Sequence, residues 1–432
     1  NLLTFNGNKV IKEFYVNDYG NQINIFAESV IYRIKEIINN ETFPDGKNLY
    51  PGAYIIDIAK KIINKNKKTG SKKLNLNKKL ISKYAIKYSM DLIKLDLNKL
   101  GVKHDFFFYE TDIVKKNLIK KCLNQLKNDG LIFEGYLNPP KGEDNKNWKK
   151  TKKLIFRSSK FGDDSDRSLQ KDDGSWTYFA ADMAYHLDKF KRGFPQMINV
   201  WGADHGGYVK RMDAAVSALT QGQGSLDVKL CHMVNLLENG KSIKMSKRSG
   251  AFAKLRDVID LVGKDVVRFI MLTRKNDAPL DFDLGKVMEK SRDNPVYYVQ
   301  YSHARCHSVL RHANEVFNNL ELTRDTIENA PLELLNDSAE LLLIKHMAAW
   351  PRTLEGAAEA REPHRIAYYL IELSGTFHAL WTKGAKEDTS LRFVSDNNKP
   401  LTMARLVLVG ALASVIASGL QVIGVEPVKE MQ

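Results

Sequence analysis

Two short segments carry residue types whose spacing suits work on a nucleotide triphosphate. The first is Lys244-Met245-Ser246-Lys247-Arg248, followed by Ser249-Gly250 and preceded by a β-patterned stretch. Two lysines three positions apart on one loop can reach the same triphosphate. There they offset the negative charge that develops on a leaving pyrophosphate. A merely basic surface loop competes as a reading of so short a match. The second segment is Trp201-Gly202-Ala203-Asp204-His205-Gly206-Gly207. An apolar strand that runs into a glycine-flanked turn and then a helix sets backbone N–H groups at the carboxyl end of a sheet. Open α/β sheets bind nucleotides there. A plain strand-to-helix turn, with His205 a satisfied structural imidazole, is the competing reading.

The elements that must position these segments are legible in the hydropathy pattern. Residues 9–16 read as a strand and 22–38 as a helix, and 57–100 is helical and strongly basic. An aromatic strand at 105–109 leads into a helix that ends near 128, and 141–153 is a charged loop broken by Pro and Gly. A strand at 196–201 is followed by a helix to about 220. Another strand at 228–236 leads to the loop at Lys244. Strands alternating with helices predict a parallel, doubly wound α/β sheet. From 296 onward only helices are expected, and a shift from Lys-, Asn- and Ile-rich to Ala-, Leu-, Glu- and Arg-rich sequence puts a domain boundary near 292–295.

At 432 residues the chain is too long for one core, so two or more domains are expected. A formal net charge of +15 favours a polyanionic partner, with a solvated lysine-rich surface as the alternative. The three cysteines, Cys122, Cys231 and Cys306, stand far apart, which excludes a disulfide framework and argues against a thiolate zinc site. The sequence opens at Asn1 without a signal peptide, so it is expected to begin mid-protein or to have been processed. The apolar stretch 406–425 has the length of a membrane span. A buried helix, with Arg405 and Gln421 on its polar side, is expected instead.

Together the two nucleotide-site segments resemble the later half of the class I aminoacyl-tRNA synthetase active site. The surrounding sequence is similar to arginyl-tRNA synthetases along nearly the whole chain. The matching segments include Phe14-Tyr15-Val16-Asn17-Asp18-Tyr19-Gly20-Asn21-Gln22, Phe106 to Glu110, and Trp176-Thr177-Tyr178-Phe179-Ala180-Ala181-Asp182. They continue through Asp265-Val266-Val267-Arg268-Phe269 and Tyr297-Tyr298-Val299-Gln300-Tyr301-Ser302-His303-Ala304-Arg305. The resemblance implies a Rossmann-like parallel-sheet catalytic domain over 1–290, with a helical insertion at about 40–170 and the signature loop at 244–248. An all-α helical-bundle anticodon-binding domain over 291–432 is implied to follow it.

The resemblance also implies the chemistry. Arginine attacks the α-phosphate of ATP, giving arginyl-adenylate and pyrophosphate, and the arginyl group then passes to the 2′-hydroxyl of the tRNA's terminal adenosine. Mg²⁺ rides on the phosphates, no tightly bound protein-ligated metal is expected, and activation is expected to need bound tRNA. A guanidinium wants carboxylates in a planar arrangement, and by similarity Glu110, Tyr178 and Asp182 grip it. Asn17, Asp18 and Gln22 line the pocket, and Asp204 or His205 meets the amino group or the nucleotide. Gly202, Asp204, His205, Met233, Lys244, Met245, Ser246 and Lys247 are the implied ATP contacts, with Lys244 and Lys247 catalytic. Tyr297, Tyr301 and Arg305 mix aromatic and cationic groups suited to stacking unpaired tRNA bases. The implied partners are tRNA(Arg), L-arginine and ATP, with no membrane, for a cytoplasmic monomer.

One departure is as informative as the match. The family's His-x-Gly-His element, which holds the ATP phosphates opposite the lysine loop, does not occur, and His205 is the only His followed by Gly. The chain as it stands is therefore expected to be an N-terminally truncated enzyme that binds ATP poorly and activates little arginine. Two rivals remain: a catalytically inactive tRNA-binding fragment, and a cysteinyl-type synthetase or related adenylate-forming ligase. The second expects a Cys/His zinc site that the scattered cysteines do not supply.

Overall fold

The computed structural model describes residues 1–44, 48–68, 74–137, 151–243, 254–291, 293–318, 320 and 322–431. A short helix α1 (Leu2–Phe5) precedes β1 (Glu13–Val16), whose strand is shorter than the expected 9–16. Gly20, at φ 94°, lets the chain turn from the end of β1 into α2 (Asn21–Asn39). Helices α3 (Ala53–Lys68) and α4 (Lys78–Lys99) follow, α4 being capped by Asn77, whose side chain accepts from the N–H groups of Lys79 and Leu80. Ile55, Ile58, Ile62 and Ile81 pack with Val30 and Ile34 into a core private to these three helices. Their lysines are left on the outside, as a 3.6-residue period requires.

Strand β2 (Phe106–Tyr109) then returns to pair in parallel with β1, Glu13 opposite Phe106 and Val16 opposite Tyr109. The helical insertion between these two strands is therefore α2 to α4, and the region 40–170 goes on to include β2 itself. Helices α5 (Glu110–Lys115) and α6 (Leu118–Asn128) come next, then an antiparallel sheet of β3 (Ile132–Gly135), β4 (Lys153–Phe156) and β5 (Arg167–Ser168). Helix α7 (Tyr178–Lys191) leads to β6 (Gln196–Gly202), a 3₁₀ turn (Ala203–Tyr208), α8 (Val209–Leu219) and β7 (Ser225–Cys231). Strands β6 and β7 are parallel, running from Gln196 opposite Ser225 to Gly202 opposite Cys231. Phe108, Leu126, Phe156, Phe179, Met183 and Met212 form the second core beneath them.

The single strand expected at 228–236 is two strands. Strand β7 stops where its partner stops, at Gly202, and the N–H of His232 turns away to donate to Asn276 O. Beyond it β8 (Val234–Glu238) joins a different ladder, antiparallel to β9 (Lys241–Ser242) and parallel to β10 (Leu280–Asp283). Helices α9 (Leu255–Val262), α10 (Lys264–Met271) and α11 (Leu284–Val287) complete this part. Among the described residues β1 pairs only with β2, and β6 only with β7. Residues of β1 and β6 line the two sides of one cleft.

The remainder is helical: α12 (Pro295–Val316), α13 (Arg324–Glu328), α14 (Ser338–Ala348), α15 (Trp350–Ala360), α16 (His364–Thr382) and α17 (Lys399–Ile423). A π-helical turn, Lys383–Glu387, extends α16. Helix α17 is long and apolar enough to cross a membrane by length and composition. It packs in the third core, where Leu406, Val409, Leu412, Ile416 and Leu420 meet residues of α12 and α16. Gln421 is exposed as expected, but Arg405 is not on a polar side, being only 3% exposed. Its Nε donates to Glu340 Oε1 at 2.6 Å, and its Nη1 donates to the carbonyls of Ser390 (2.6 Å) and Arg392 (2.8 Å). Satisfying most of its donors is what makes this burial tolerable.

Glu340 also accepts from the N–H of Asp337 in the capping box of α14, so one carboxylate ties the start of α14 to α17. Replacing Glu340 by Gln leaves a buried guanidinium without its counter-charge. It is expected to cost about 3 kcal/mol of unfolding free energy, measured by urea titration of the helical signal. A loss under about 1 kcal/mol would show that the pair is not the tie described.

Candidate active site

Between β1 and β6 a cleft of about 920 Å³ runs the length of both strands, lined also by residues of α7 and of the turn after β6. Asn17, Asp182 and His205 line it, together with Tyr15, Lys189 and Tyr208. Because β1 and β2 run in parallel and end in register, Asp18 lies beside the start of α5. Its Oδ1 accepts from Thr111 N at 2.9 Å and its Oδ2 from Thr111 Oγ1 at 2.7 Å. Both oxygens are thus engaged, so Asp18 acts here as a clamp between the two strand ends. Gln22 is exposed, its amide 3.5 Å from Tyr19 O.

Glu110, the first residue of α5, is half-buried, and its Oε2 has no hydrogen-bond partner. Burial, helped by the nearby charges of Asp18 and Asp182, pushes its carboxyl up to about 7. Asp182 lies one turn into α7. Burial raises its pKa as well, opposed by the hydroxyl of Tyr208, which donates to Asp182 Oδ2 at 2.7 Å. The Tyr15 phenol is raised by burial and then by the charges of Glu110, Asp182 and Asp18. Glu110 and Tyr15 both feel the charges of Asp18 and Asp182, which places the three carboxylates in one neighbourhood. Lys189, deeper in α7 and bonded to Asn199 Oδ1 at 3.1 Å, is lowered by burial to about 8.

At the turn after β6 a Cβ at position 202 would sit 2.5 Å from Asp204 Oδ1, the movable end of an exposed side chain. Asp204 and His205 are both exposed, with Asp204 Oδ2 3.7 Å from His205 Nε2. The ring of Tyr208 is fixed by Trp201, Phe179 and the guanidinium of Arg211. Tyr178 stands out at 78% exposure with Lys171 Nζ 5.3 Å from its ring, and Met233 is 80% exposed between β7 and β8.

Lys244, Met245, Ser246 and Lys247 lie outside the described residues. The hairpin leading to them is well anchored: Asp283 accepts from the N–H groups of Asn239 and Gly240 at its tip, at 3.1 and 2.6 Å. The cleft therefore brings together Asn17, Asp182 and His205, with Glu110 and Asp18 at its carboxylate neighbourhood. It does not gather Gln22, Tyr178, Asp204, Gly202 or Met233 into its lining. Tyr208, Tyr15 and Lys189 escaped the sequence reading. For Tyr208 a signal existed, its place directly after Gly206-Gly207, but not its partner 26 residues earlier.

In the helical part Tyr297, Tyr301 and Arg305 fall one turn apart on one face of α12 and line a second cavity of about 750 Å³ with His378 of α16. The profile described as the DALR anticodon binding domain matches residues 299–431, which takes in Tyr301 and Arg305 of that face. The arginine–tRNA ligase of Parvibaculum lavamentivorans is 48% identical over the whole of this chain and 74% of its own length. That of Wolbachia pipientis wMel is 49% identical over the whole chain and 73% of its own. A Campylobacter jejuni structure assigned to arginyl-tRNA synthetase superposes with a TM-score of 0.81 at 30% identity, over all of this chain and 87% of that one. The Thermus thermophilus arginyl-tRNA synthetase, 19% identical, shares the fold with a TM-score of 0.70 over all of this chain and 77% of its own. With near-half identity sustained from end to end and the fold of the Campylobacter jejuni structure shared over the whole chain, the chain belongs to the arginyl-tRNA synthetase family.

Proposed function

We propose that the protein joins arginine to tRNA(Arg) at the expense of ATP, through an arginyl-adenylate. The supporting observation is the trio Asp18, Glu110 and Asp182, three carboxylates held in one partly buried neighbourhood with a carboxylate oxygen left open on Glu110. Such a site is electrostatically unsatisfied until a cation arrives. A guanidinium supplies both the charge and the planar donors. In this reading Glu110 and Asp182 hold the guanidinium, Tyr208 sets the orientation of Asp182, and Asp18 keeps Glu110 in place through Thr111. Tyr178 and Asn17 close over the substrate, and Asp204 or His205 meets its amino group or the nucleotide.

The adenylate half of the reaction asks little covalent work of the protein. The arginine carboxylate displaces pyrophosphate at the α-phosphate. Positioning and charge stabilisation by Lys244 and Lys247, with Mg²⁺ carried on the phosphates, lower the barrier. Residues 1–290 form the catalytic domain and 291–432 the anticodon-binding domain, whose α12 face holds Tyr297, Tyr301 and Arg305. The alternative of an inactive tRNA-binding fragment is decided by the same assay as the main reading.

In the product of the full coding sequence, with tRNA(Arg) present, arginine is expected to drive ATP–pyrophosphate exchange. Exchange driven by another amino acid and not by arginine would overturn the substrate assignment, and no exchange at all favours the inactive fragment. In the same protein Lys247→Ala is expected to slow exchange far more than it weakens tRNA binding. Equal losses would mean that the loop only touches RNA. Asp182→Asn is expected to raise the arginine KM by about 10- to 100-fold through loss of a charged hydrogen bond.

The raised pKa of Glu110 gives a test that needs no substrate. In the folded state Glu110 holds its proton to about 7, whereas unfolded it releases it near the ordinary carboxylate value. The folded protein thus binds the extra proton between these values, and stability falls as pH rises through that window. Glu110→Gln is expected to raise the thermal midpoint above wild type at pH 8 and to match it near pH 5. A midpoint gap independent of pH would mean that Glu110 is not electrostatically crowded.

A further inference from the structure

The segment with Lys244 and Lys247 leaves the fold from an element that is weak by itself. Strand β9 has two residues, both exposed, and among the described residues it pairs only with β8. Leu237 stands opposite Ser242 and Glu238 opposite Lys241. One further bond, from Ile243 N to Leu236 O at 3.0 Å, carries the ladder to the residue before Lys244. A two-stranded hairpin of this length is marginal in water. Its register matters, because a slip of one residue shifts the chain by about 3.3 Å and turns every following side chain to the other face.

A buried carboxylate from outside the hairpin fixes that register. Asn239 and Gly240 form the two-residue turn, both left-handed at φ 50° and 77°, as a type I′ turn requires. Asp283 takes both of their N–H groups, Asn239 N on Oδ1 at 3.1 Å and Gly240 N on Oδ2 at 2.6 Å. Its Oδ1 also accepts from Gly285 N at 3.0 Å, which makes Asp283 the N-cap of α11. Asp283 ends β10, opposite Leu237 of β8, and its neighbours Phe282 and Leu284 are buried in the third core. One side chain, 6% exposed, thus joins the hairpin tip to a strand and a helix anchored in that core. Burial works to raise its pKa. The N–H groups of Gly240, Gly285, Lys286 and Asn239 outweigh burial and hold the carboxyl below the ordinary carboxylate range, so these bonds are made to a charged acceptor.

We infer that Asp283 is a positioning residue for adenylate formation: it pins the tip of the β8–β9 hairpin and so sets where Lys244 and Lys247 leave the ladder. The role rests on the reading that those two lysines meet the ATP phosphates, and it names what determines their starting point. Asp283 itself touches neither arginine nor nucleotide. Misplacing a catalytic group by about 1 Å can cost on the order of a hundredfold in rate, so a hairpin free to shift by a fraction of one residue is already too loose. In the same reading arginine is held in the cleft between β1 and β6, and the anticodon on the helical part. The loss therefore falls on turnover and not on the binding of either.

The test uses the product of the full coding sequence with tRNA(Arg) present. Asp283→Ala is expected to lower the kcat of arginine-dependent ATP–pyrophosphate exchange on the order of a hundredfold, with the arginine KM and the tRNA Kd within about twofold of wild type. Asp283→Asn, which keeps one acceptor oxygen in place of two, is expected to lose about tenfold. Gly240→Ala leaves the carboxylate intact but strains the turn at its φ of 77°, and is expected to give the same split between kcat and KM. Amide hydrogen exchange checks the cause: the peptide with Asn239 and Gly240 is expected to exchange faster in Asp283→Ala, while peptides of α7 and α12 match wild type. An unchanged kcat, unchanged exchange at the turn, or equal losses in kcat, arginine KM and tRNA binding would overturn the inference and leave the proposed function standing. No pyrophosphate exchange by the wild-type protein would sink that function and the role of Asp283 with it.

Discussion

The burial of Glu110 beside the charges of Asp18 and Asp182 is the constraint around which the catalytic part is arranged. Carboxylates relax away from one another unless the surrounding elements prevent it. Here they cannot relax, because each is held by a different piece of regular structure. The parallel register of β1 and β2 sets Asp18 against Thr111, and α5 begins at once with Glu110. The third, Asp182, is bolted to α7 and gripped by Tyr208, whose ring is wedged among Trp201, Phe179 and Arg211. Folding energy collected in the cores of both strand pairs is what keeps like charges together, and a cationic ligand would release that strain on binding. Preorganisation of this kind favours charge and planarity over mere fit.

The α/β part and the helical part share one core, where Val267, Phe269 and Phe282 pack with the helices, and directional bonds add to it. Arg268 of α10 donates from Nε to Ile423 O at 2.9 Å and from Nη1 to Leu100 O at 3.1 Å. One guanidinium thereby fixes the end of α17 to the end of α4. Its closeness to Gly424, at φ 74°, leaves no space for a side chain at that cap. On the opposite flank Arg361, at the C-cap of α15, donates to Asp227 on β7 at 2.6 Å, and Lys229 reaches Ala360 O at 3.3 Å. Strand β7 pairs with β6, whose end carries the Gly202–Gly207 turn. The helical part is thus tied to the same ladder that shapes the cleft, by hydrogen bonds with fixed geometry.

Much of this was legible in the sequence, for a definable reason. The strand at the start, α2, the aromatic strand β2 and the switch to helices near 295 are local patterns, set by periodicity and caps. Where the sequence reading failed, the deciding partner was distant. Whether 228–236 made one strand or two depended on where β6 stopped, at Gly202. Arg405 reads as a polar-side residue until Glu340, 65 positions earlier, turns out to be its counter-charge. Asp18 reads as a pocket residue until Thr111 takes both its oxygens. Tyr208 was marked only by its place after Gly206-Gly207, since its role exists only because α7 and the turn after β6 place it against Asp182. Pattern gives the elements, and tertiary pairing assigns the side chains.

The helical face shows the same point more sharply. From sequence, Tyr297, Tyr301 and Arg305 add up to three stacking groups, because each residue type is able to receive a base. Packing subtracts from that sum. A ring has two faces, and a guanidinium between two rings has none left to offer. An aromatic face already covered by a neighbour contributes rigidity and not affinity. Tyr297, Tyr301 and Arg305 all line one cavity, so what each can still receive there is set by its packing and not by its residue type.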